Sequence, residues 1–352
     1  MNYQTSSHDG SHITNFYDFF EWWYFDFDLK NDYHIYIVWH SPLFCLKEFY
    51  STLLVRIYSP DTVGSARAIA NTKCMRIFRY HQSNVVQSES KCDISFPSGY
   101  IKEVEGNYVI KIDEKDFYID LKLERLLPPI SVKDNLIYQT KNGEKYFKWY
   151  IPLPRAATRG EIKIDGNHME AEGILYHDHN WGNLNLKKYI RDWVWGRVFF
   201  KDFTVIFGDV HANDPEKKFQ ILLFVDRNGN CIDTSSFKIN YRQFDNQRQY
   251  KIQTPNWFSV EFENRGKYRI DFRQKRELVI EEAPFGSFDN NFFNVWLAKL
   301  YYFFKLYYGS NFFKKWYGRL IYFQSEIIGE LYKNNHIEDK QSGRIEVMSF
   351  VD

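Results

Sequence analysis

Short segments rich in β-branched and aromatic residues recur along most of the chain, and Gly, Pro, Asn and Asp separate them. Residues 53–59, 75–80, 108–112 and 203–211 are examples, and residues 25–29 alternate apolar and acidic side chains, as a strand with one polar face does. Many short strands joined by frequent turns are typical of sandwiches and barrels. The pattern therefore predicts an all-β protein. Within it, residues 146–152 are predicted as a strand, residues 155–160 as a polar loop, and Asp165-Gly166 as the turn of a hairpin.

The length and composition of the chain narrow the architecture and the partners. At 352 residues the chain is long for a single core, so we predict two β domains, residues 15–186 and 187–352. The aromatic share of 19% is high and indicates a β-rich core or an apolar cavity. The formal net charge is +1, which gives no overall field that would attract nucleic acid, so no nucleic-acid partner is expected.

The cysteines and the first residues bear on the cellular compartment. Four cysteines are scattered without a CxxC motif, which predicts buried thiols in a reducing compartment rather than disulfides or a zinc site. Residues 1–14 are polar and predict a loose tail rather than a signal peptide, with order beginning near Phe16. The sequence has no run of about 18 consecutive apolar residues, so no membrane span is predicted. A cytoplasmic location is expected.

The two halves of the chain share a pattern at a single offset, because Trp193 lies 171 positions after Trp22. The same offset aligns four further pairs without a gap: Glu21 with Asp192, Lys30 with Lys201, Ile35 with Ile206, and His40 with His211. Each copy gives an acid followed by Trp, a strand, a polar turn with Lys, an apolar strand and a His. This repeat indicates two β domains that share an opening hairpin.

One region breaks the strand pattern. Residues 288–332 have apolar side chains at helical spacing with lysines interleaved, which predicts one or two helices inserted in the second domain. Three interpretations stay open for this aromatic insert. In the first, the insert forms a lid over an apolar tunnel; in the second, it forms an interfacial helix that makes peripheral contact with a membrane; in the third, it packs against the barrel.

The residues with most chemical potential lie in the middle of the chain. Residues 176–182 read Tyr-His-Asp-His-Asn-Trp-Gly, and residues 192–197 read Asp-Trp-Val-Trp-Gly-Arg. Burying titratable groups among large aromatic rings costs free energy of folding unless the polar groups have hydrogen-bond partners or a function. If the first run is a strand, Tyr176, Asp178 and Asn180 share one face, and the two histidines share the other.

These two runs, together with Glu-Trp-Trp-Tyr at 21–24, resemble the carotenoid 1,2-hydratase family. That family is also called hydroxyneurosporene synthase, includes AttH-like proteins, and is related more distantly to tocopherol cyclase and fungal Diels–Alderases. The resemblance implies two lipocalin-like β domains with a hydrophobic pocket at or near their junction. It also implies a polyene, prenyl or similar apolar substrate, but it does not fix the reaction.

Protonating an alkene requires an acid in a dry pocket and aromatic faces that stabilise the resulting cation. Asp209 is the first candidate acid, because strand 203–211 places it on an apolar face with Phe207, where burial would raise its pKa. The resemblance implies an aromatic-x-Asp pattern here, which matches residues 207–209. The alternative is a buried Asp that pairs with an Arg or caps a backbone bend.

Two other carboxyl groups are candidates. Asp178 either orients a histidine for catalysis or fixes a backbone corner. Glu21 precedes paired tryptophans, and its equivalence to Asp192 favours a structural role repeated in both domains. His179 completes the set of candidate catalytic residues.

The His-x-His spacing of His177 and His179 is one that strands use to bind metals, with His40 or His211 available as a third ligand. We expect instead that both histidines bond to neighbouring acids, and we predict no metal and no cofactor. The residues predicted to line the substrate pocket are mostly aromatic; they are Trp22, Tyr24, Tyr176, His177, Trp181, Trp193, Trp195 and Phe207.

The sequence thus predicts an enzyme without a redox cofactor that protonates an apolar isoprenoid or polyene substrate, as a hydratase or a cyclase. Two alternatives stay open. One is a pericyclase of a polyketide-type metabolite, in which pocket shape alone orders the substrate. The other is a non-catalytic carrier of an apolar ligand.

Overall fold

A computed structural model describes residues 7–13, 19–41, 50–59, 72–232, 234, 236–285 and 318–351. The described residues divide into two compact units, one ending at Leu184 and the other beginning at Asn185. Each unit is built on one antiparallel sheet. The predicted class, an all-β protein with two lipocalin-like domains, is confirmed.

The first sheet contains twelve described strands. They are β1 Phe20–Leu29, β2 His34–His40, β3 Tyr50–Tyr58, β4 Thr72–His81, β5 Val86–Gln87, β6 Asp93–Phe96, β7 Gly99–Val104, β8 Asn107–Glu114, β9 Phe117–Arg125, β10 Leu136–Gln139, β11 Tyr146–Ile164 and β12 Asn167–Gly182. Their order is β4-β3-β2-β1-β12-β11-β9-β8-β7-β6-β5, and β10 pairs with β11. The chain therefore returns β12 to the side of β1, which places the central motif against the Glu-Trp-Trp-Tyr segment.

The second sheet contains nine described strands and follows a short helix, α1 Leu186–Tyr189. The strands are β13 Ile190–Phe199, β14 Phe203–Ala212, β15 Lys218–Asp226, β16 Cys231–Ile232, β17 Phe237–Gln247, β18 Ile252–Glu263, β19 Lys267–Phe285, β20 Gly318–Lys333 and β21 His336–Val351. Their order is β16-β15-β14-β13-β21-β20-β19-β18-β17. The last strand again closes beside the first, so both sheets share one topology.

Side chains alternate between two faces along each strand. On β1, Trp23, Phe25 and Phe27 belong to the hydrophobic core of the first unit, and this side is called the core face. Trp22 and Tyr24 lie on the opposite side, called the reverse face, and are also buried. On β13 of the second sheet, Asp192, Val194 and Val198 share the face of Gly196, which lies against the packed ring of Phe207, and this side is called the core face of the second sheet. Its reverse face carries Trp193, Trp195 and Arg197.

The predicted hairpin around residues 165–166 is confirmed. Ile164 pairs with Asn167, and Asp165 and Gly166 both have positive φ angles, of 48° and 81°, as a tight two-residue turn requires. The polar loop expected at 155–160 is wrong, since β11 continues through it. Register shifts after Tyr150 and Leu153 let the strand pass its two prolines, because bulges tolerate residues that lack an N–H.

Two further expectations are corrected. The N-terminal segment is not a loose tail throughout, since Ser7–Asp9 forms a 3₁₀ turn and the side chain of Asp9 is buried. The helical insert predicted at 288–332 is wrong over its last part, because Gly318–Lys333 is strand β20. An apolar run buried on both sides has no period that distinguishes a strand from a helix. Residues 286–317, with the predicted lid or membrane contact, lie outside the described residues.

Helices and cysteines in the described part add two facts. No helix there has both the length and the apolar character that crossing a bilayer requires. Cys74 and Cys92 are buried thiols, as expected, whereas the Cys231 side chain is exposed. None of these three described cysteines forms a disulfide.

Candidate active site

The reverse face of β12 carries a buried carboxyl group, that of Asp178, held by three hydrogen-bond donors. Trp149 Nε1 and the Tyr176 hydroxyl donate to Oδ2 at 2.9 Å and 2.8 Å, and Asn180 Nδ2 donates to Oδ1 at 2.7 Å. Burial raises the pKa of Asp178 to about 7, although these three donors and His177 oppose the shift. The shared face of residues 176, 178 and 180 is as the sequence predicts.

Aromatic rings border Asp178 on the same face. Tyr24 lies directly opposite Asp178 in the β1–β12 ladder, and its ring stacks on that of Tyr36 with centroids 6.0 Å apart. Trp22 is the next β1 residue on this face, and its ring stacks on Phe20 at 5.4 Å. All four rings are buried. A cation formed beside them would meet electron-rich ring faces.

The core face of β12 carries two histidines. Nδ1 of His177 lies 3.0 Å from the backbone oxygen of Tyr24. Nδ1 of His179 lies 3.0 Å from the backbone oxygen of His8, and its Nε2 lies 3.1 Å from Glu21 Oε1. Burial lowers the pKa of His179 well below its usual value. The expected bond between a motif histidine and a neighbouring acid is therefore present at His179.

Glu21 accepts hydrogen bonds from residues 7–13, called the N-terminal segment. Its Oε1 accepts the backbone N–H of His12 at 2.7 Å, and its Oε2 accepts the hydroxyl of Ser11 at 3.1 Å. The Nδ1 atom of His12 lies 3.3 Å from the same Oε1. Burial raises the pKa of Glu21 well above its usual value, against the effect of these bonds, and lowers the pKa of His12 to about 4.

Asp9 lies between the two motif histidines. Its carboxyl oxygens are each 3.5 Å from a ring nitrogen, Nε2 of His177 and Nδ1 of His179. The Tyr108 hydroxyl donates to Asp9, and Trp23 Nε1 donates to the backbone oxygen of Asp9 at 3.2 Å. The N-terminal segment is thereby fixed to the core face by side-chain and backbone contacts.

Sequence reasoning missed several of these residues; they are Asp9, Ser11, His12, Tyr108 and Trp149. The N-terminal segment has no hydrophobic period, so its polarity suggested a tail. The available signal was the density of titratable groups at His8, Asp9 and His12. Trp149 carried no signal beyond its place in a predicted strand.

One set of described residues could hold a metal ion. The ligand atoms of His12, Glu21 and His179 lie within 4.8 Å of one another. The third ligands that the sequence suggested lie elsewhere, because His40 is on the reverse face of β2 and His211 belongs to the second sheet. The metal-capable set therefore includes one motif histidine and one residue of the N-terminal segment.

Asp209 is buried on the core face of β14, as predicted, but it is not an uncharged acid. The Tyr241 hydroxyl donates to Oδ2 at 2.8 Å, and His211 Nε2 and Lys218 Nζ lie 3.2 Å and 3.3 Å from Oδ1. Burial raises its pKa, but the bond and charge of His211, with Tyr241 and Lys218, outweigh burial and leave the pKa below its usual value. These contacts favour a carboxylate at Asp209 rather than the uncharged acid that the sequence predicts, and a catalytic role for Asp209 stays a prediction.

His211 links two acids of the second sheet. Its Nδ1 lies 2.5 Å from Asp192 Oδ1, and its Nε2 faces Asp209. The bonds to Asp192 and Asp209 raise the pKa of His211 to about 9. Burial raises the pKa of Asp192, but the bonds from His211 and Arg191 outweigh it and leave the pKa below its usual value. These groups form an ionised network near neutral pH.

The residues predicted to line the pocket fall on four surfaces, the two faces of each sheet. Trp22, Tyr24 and Tyr176 lie on the reverse face of the first sheet, the face that also carries Asp178. Trp193 and Trp195 are buried on the reverse face of the second sheet. The remaining three lie on core faces; they are His177, Trp181 and Phe207.

Contacts of these last three are those of packed core side chains. The ring of His177 stacks on Phe25 with centroids 3.8 Å apart. The ring of Trp181 stacks on His12 at 4.0 Å. Phe207 packs against two other phenylalanine rings of the second unit, with centroids 5.2 Å and 5.0 Å away.

Comparison with known proteins gives one family match and several structural matches. A sequence model of the AttH-like family matches residues 65–280. The fold is similar to that of an AttH protein from Nitrosomonas europaea, at 13% identity and a TM-score of 0.60, covering 97% of this chain and 95% of that chain. It is also similar to CghA solved with Sch210972, at 10% identity and a TM-score of 0.60, covering 99% and 97%.

A third similar structure is kievitone hydratase from Nectria haematococca, at 11% identity and a TM-score of 0.56, covering 99% of this chain and 96% of that chain. No curated protein sequence matches the chain. At these identities the structural likeness establishes the fold alone.

Proposed function

The chain belongs to the AttH-like family, and on that premise we propose that it hydrates or cyclises an apolar isoprenoid or polyene substrate without a redox cofactor. The reaction begins when a carboxylic acid protonates a C=C bond. Asp178, rather than Asp209, supplies this proton. A structurally similar protein is by its name a hydratase, kievitone hydratase, which supports this type of reaction.

The observation that carries the proposal is the buried Asp178 carboxyl group with its three donors and its aromatic border. Proton transfer to an alkene creates two charges, a carboxylate and a carbocation. Donors from Trp149, Tyr176 and Asn180 already point at the oxygens where the negative charge develops. The faces of Tyr24 and Trp22 lie on the same side of the sheet and stabilise positive charge.

The steps balance without an oxidant or a reductant. The π electrons of the alkene form a C–H bond with the Asp178 proton, and the neighbouring carbon becomes a cation. In hydration, the oxygen of a water molecule bonds to that carbon, and the water proton passes to the Asp178 carboxylate. In cyclisation, a second C=C bond closes the ring, and a proton leaves an adjacent carbon for the same carboxylate.

The other predicted catalytic groups have no part in this proton transfer. Glu21 and His179 lie on the core face, on the opposite side of the sheet from Asp178. Asp209 is ionised within the second sheet. Trp193 and Trp195 stay predicted substrate contacts.

An experiment in D₂O tests the proposed reaction. Purified protein is incubated with acyclic polyprenyl alcohols and acyclic carotenoid-type polyenes, and products are identified by mass spectrometry. Protonation by a solvent-exchanged carboxyl group leaves deuterium on carbon. A hydrated product is heavier by one D₂O, whereas a cyclised product has gained one deuterium in place of one hydrogen. The Asp178→Asn variant should lower turnover by at least about 100-fold while substrate binding is retained.

Asp120 offers a matched control, because the Tyr118 hydroxyl donates to it across the same two-residue spacing, at 3.2 Å, on a partly buried face of β9. Asp120→Asn should keep full turnover. Product that lacks deuterium would indicate a pericyclase, and bound but unchanged substrate would indicate a carrier. Either result, or normal turnover by Asp178→Asn, overturns the proposal.

A further inference from the structure

We propose that His12, Glu21 and His179 form a binding site for a divalent transition-metal ion of the zinc class. The three side chains come from separate parts of the first unit, namely the N-terminal segment, β1 and β12. They offer two imidazole nitrogens and one carboxylate oxygen, a donor set that zinc accepts in proteins. Three protein ligands leave one tetrahedral position for a water molecule.

The spacing of the donor atoms fits a shared ion. Glu21 Oε1 lies 3.1 Å from His179 Nε2 and 3.3 Å from His12 Nδ1. Ligand atoms bound about 2.0–2.1 Å from one tetrahedral zinc ion lie about 3.3 Å from each other. The carboxylate oxygen is therefore already at ligand-to-ligand distance from both nitrogens.

The ring of His179 is held in the orientation that a metal ligand needs. Its Nδ1 donates to the backbone oxygen of His8, as the second nitrogen of a metal-bound imidazole commonly does. This bond leaves the lone pair of Nε2 directed at Glu21. The imidazole is also stacked on Trp23 with centroids 4.1 Å apart, which prevents the ring from turning away.

His12 is positioned by similar means. Its ring stacks on Trp181 with centroids 4.0 Å apart and an interplanar angle of 12°. Its backbone N–H donates to Glu21 Oε1, and Ser11 donates to Oε2. The backbone of the segment therefore sets the distance between its own imidazole and the carboxylate.

A single proton can bridge fewer of the lone pairs that meet at Glu21 than a metal ion can. With Nδ1 of His179 donating to His8, its Nε2 lone pair faces an oxygen of Glu21 that already accepts an N–H. One proton can join one of these pairs of acceptors, whereas a single cation between the three atoms attracts all of them. Binding would also fix the N-terminal segment to β1 and β12.

The proposal is independent of the proposed function, because these ligands lie on the core face and Asp178 lies on the reverse face of β12. The test uses full-length protein stripped with a chelator and titrated calorimetrically with Zn²⁺, Co²⁺ and Mg²⁺. One equivalent of Zn²⁺ should bind per chain, Co²⁺ should compete for the same site with a tetrahedral absorption spectrum, and Mg²⁺ should not bind. Saturating Zn²⁺ should raise the melting temperature by about 5 °C or more.

Two variants and one control locate the site. His12→Ala and Glu21→Gln should each weaken Zn²⁺ binding by at least about tenfold and abolish the rise in melting temperature. The control is His168→Ala, which removes an exposed histidine that lies 2.9 Å from Glu161 and should leave binding unchanged. Circular dichroism establishes that each variant is folded. If Glu21→Gln does not fold, His12→Ala decides the question.

Two results would overturn the proposal. One is folded wild-type protein that binds no Zn²⁺ at micromolar concentration, in which case Glu21 simply holds a proton. The other is Zn²⁺ binding that His12→Ala leaves unchanged, because the ion would then lie elsewhere.

Discussion

Strands β1 and β13 each carry an acid followed by Trp near their first residue, but the two acids have different environments. Glu21 and Asp192 both lie on core faces, and Trp22 and Trp193 both lie on reverse faces. In the first sheet the acid is fully buried and bonded to backbone, hydroxyl and imidazole groups. In the second sheet the acid is partly exposed and forms a short ion pair with His211. The scaffold repeats, but the chemistry does not.

A shift of one residue accounts for much of this difference. His40 lies opposite Trp22 on β2, whereas His211 lies opposite Asp192, one position before Trp193, on β14. Because successive side chains point to opposite faces, one step in register moves a histidine from the reverse face to the core face. The difference already exists beside the turn, because Asp28 pairs with His34 in the first hairpin, whereas its counterpart Phe199 pairs with Thr204, one position before the counterpart of His34. A repeat visible in the sequence can therefore hide a change of face.

The largest expected effect comes from removing the two acids. In metal-free protein, Glu21→Ala should destabilise the first unit by about 3 kcal/mol, because it leaves buried donors of Ser11 and His12 without an acceptor. Asp192→Ala should destabilise the second unit by only about 1 kcal/mol, since His211 keeps its contact with Asp209. Hydrogen exchange measured by mass spectrometry separates the two units. Equal losses would show that the two acids are equivalent after all.

Folding should shift the pKa values of His40 and His211 in opposite directions. Burial lowers the folded pKa of His40 to about 4, below an unfolded value of about 6.5. The folded state then binds fewer protons, so stability falls as pH drops from about 6.5 towards 4. The folded pKa of His211 is about 9, so its contribution is complete below pH 6.5 and is lost as pH rises through 9.

We expect the loss at His211 to be roughly 2 kcal/mol, after allowance for its partial exposure. Proton NMR of the imidazole rings at increasing pH measures both pKa values, and His40→Gln and His211→Gln identify the signals. In His211→Gln the stability of the second unit should change little between pH 6.5 and 9. Titration of both rings near pH 6.5 would contradict the described environments.

The parts of this site that local pattern controls were predictable from the sequence. Alternation along a strand predicts that Asp178 and His179 lie on opposite faces, and the structure has that separation. The hairpin at residues 165–166 followed from turn residues, and the all-β class from short strands. Each of these rests on neighbours within a few positions.

The parts that depend on distant residues were not predictable. The pKa of Asp209 is set by His211, Lys218 and Tyr241, and the last of these lies 32 positions away on β17. A desolvation argument alone therefore gave the wrong sign. The burial of Asp9 depends on a contact with Tyr108, 99 positions along the chain, which no period in the N-terminal segment signals.

The smallest expected effect concerns the two lysines that helped to reveal the repeat. Lys30 pairs with Glu172 at 2.7 Å, but both side chains are at least half exposed, so solvent screens the pair. Lys201 is held through its backbone, whose N–H donates to Asp339 and whose oxygen accepts from Arg227. Lys30→Ala and Lys201→Ala should each shift the melting temperature by less than about 1 °C. A larger shift in either variant would show that the repeat preserves a side-chain function in its turns as well as the shape of its hairpin.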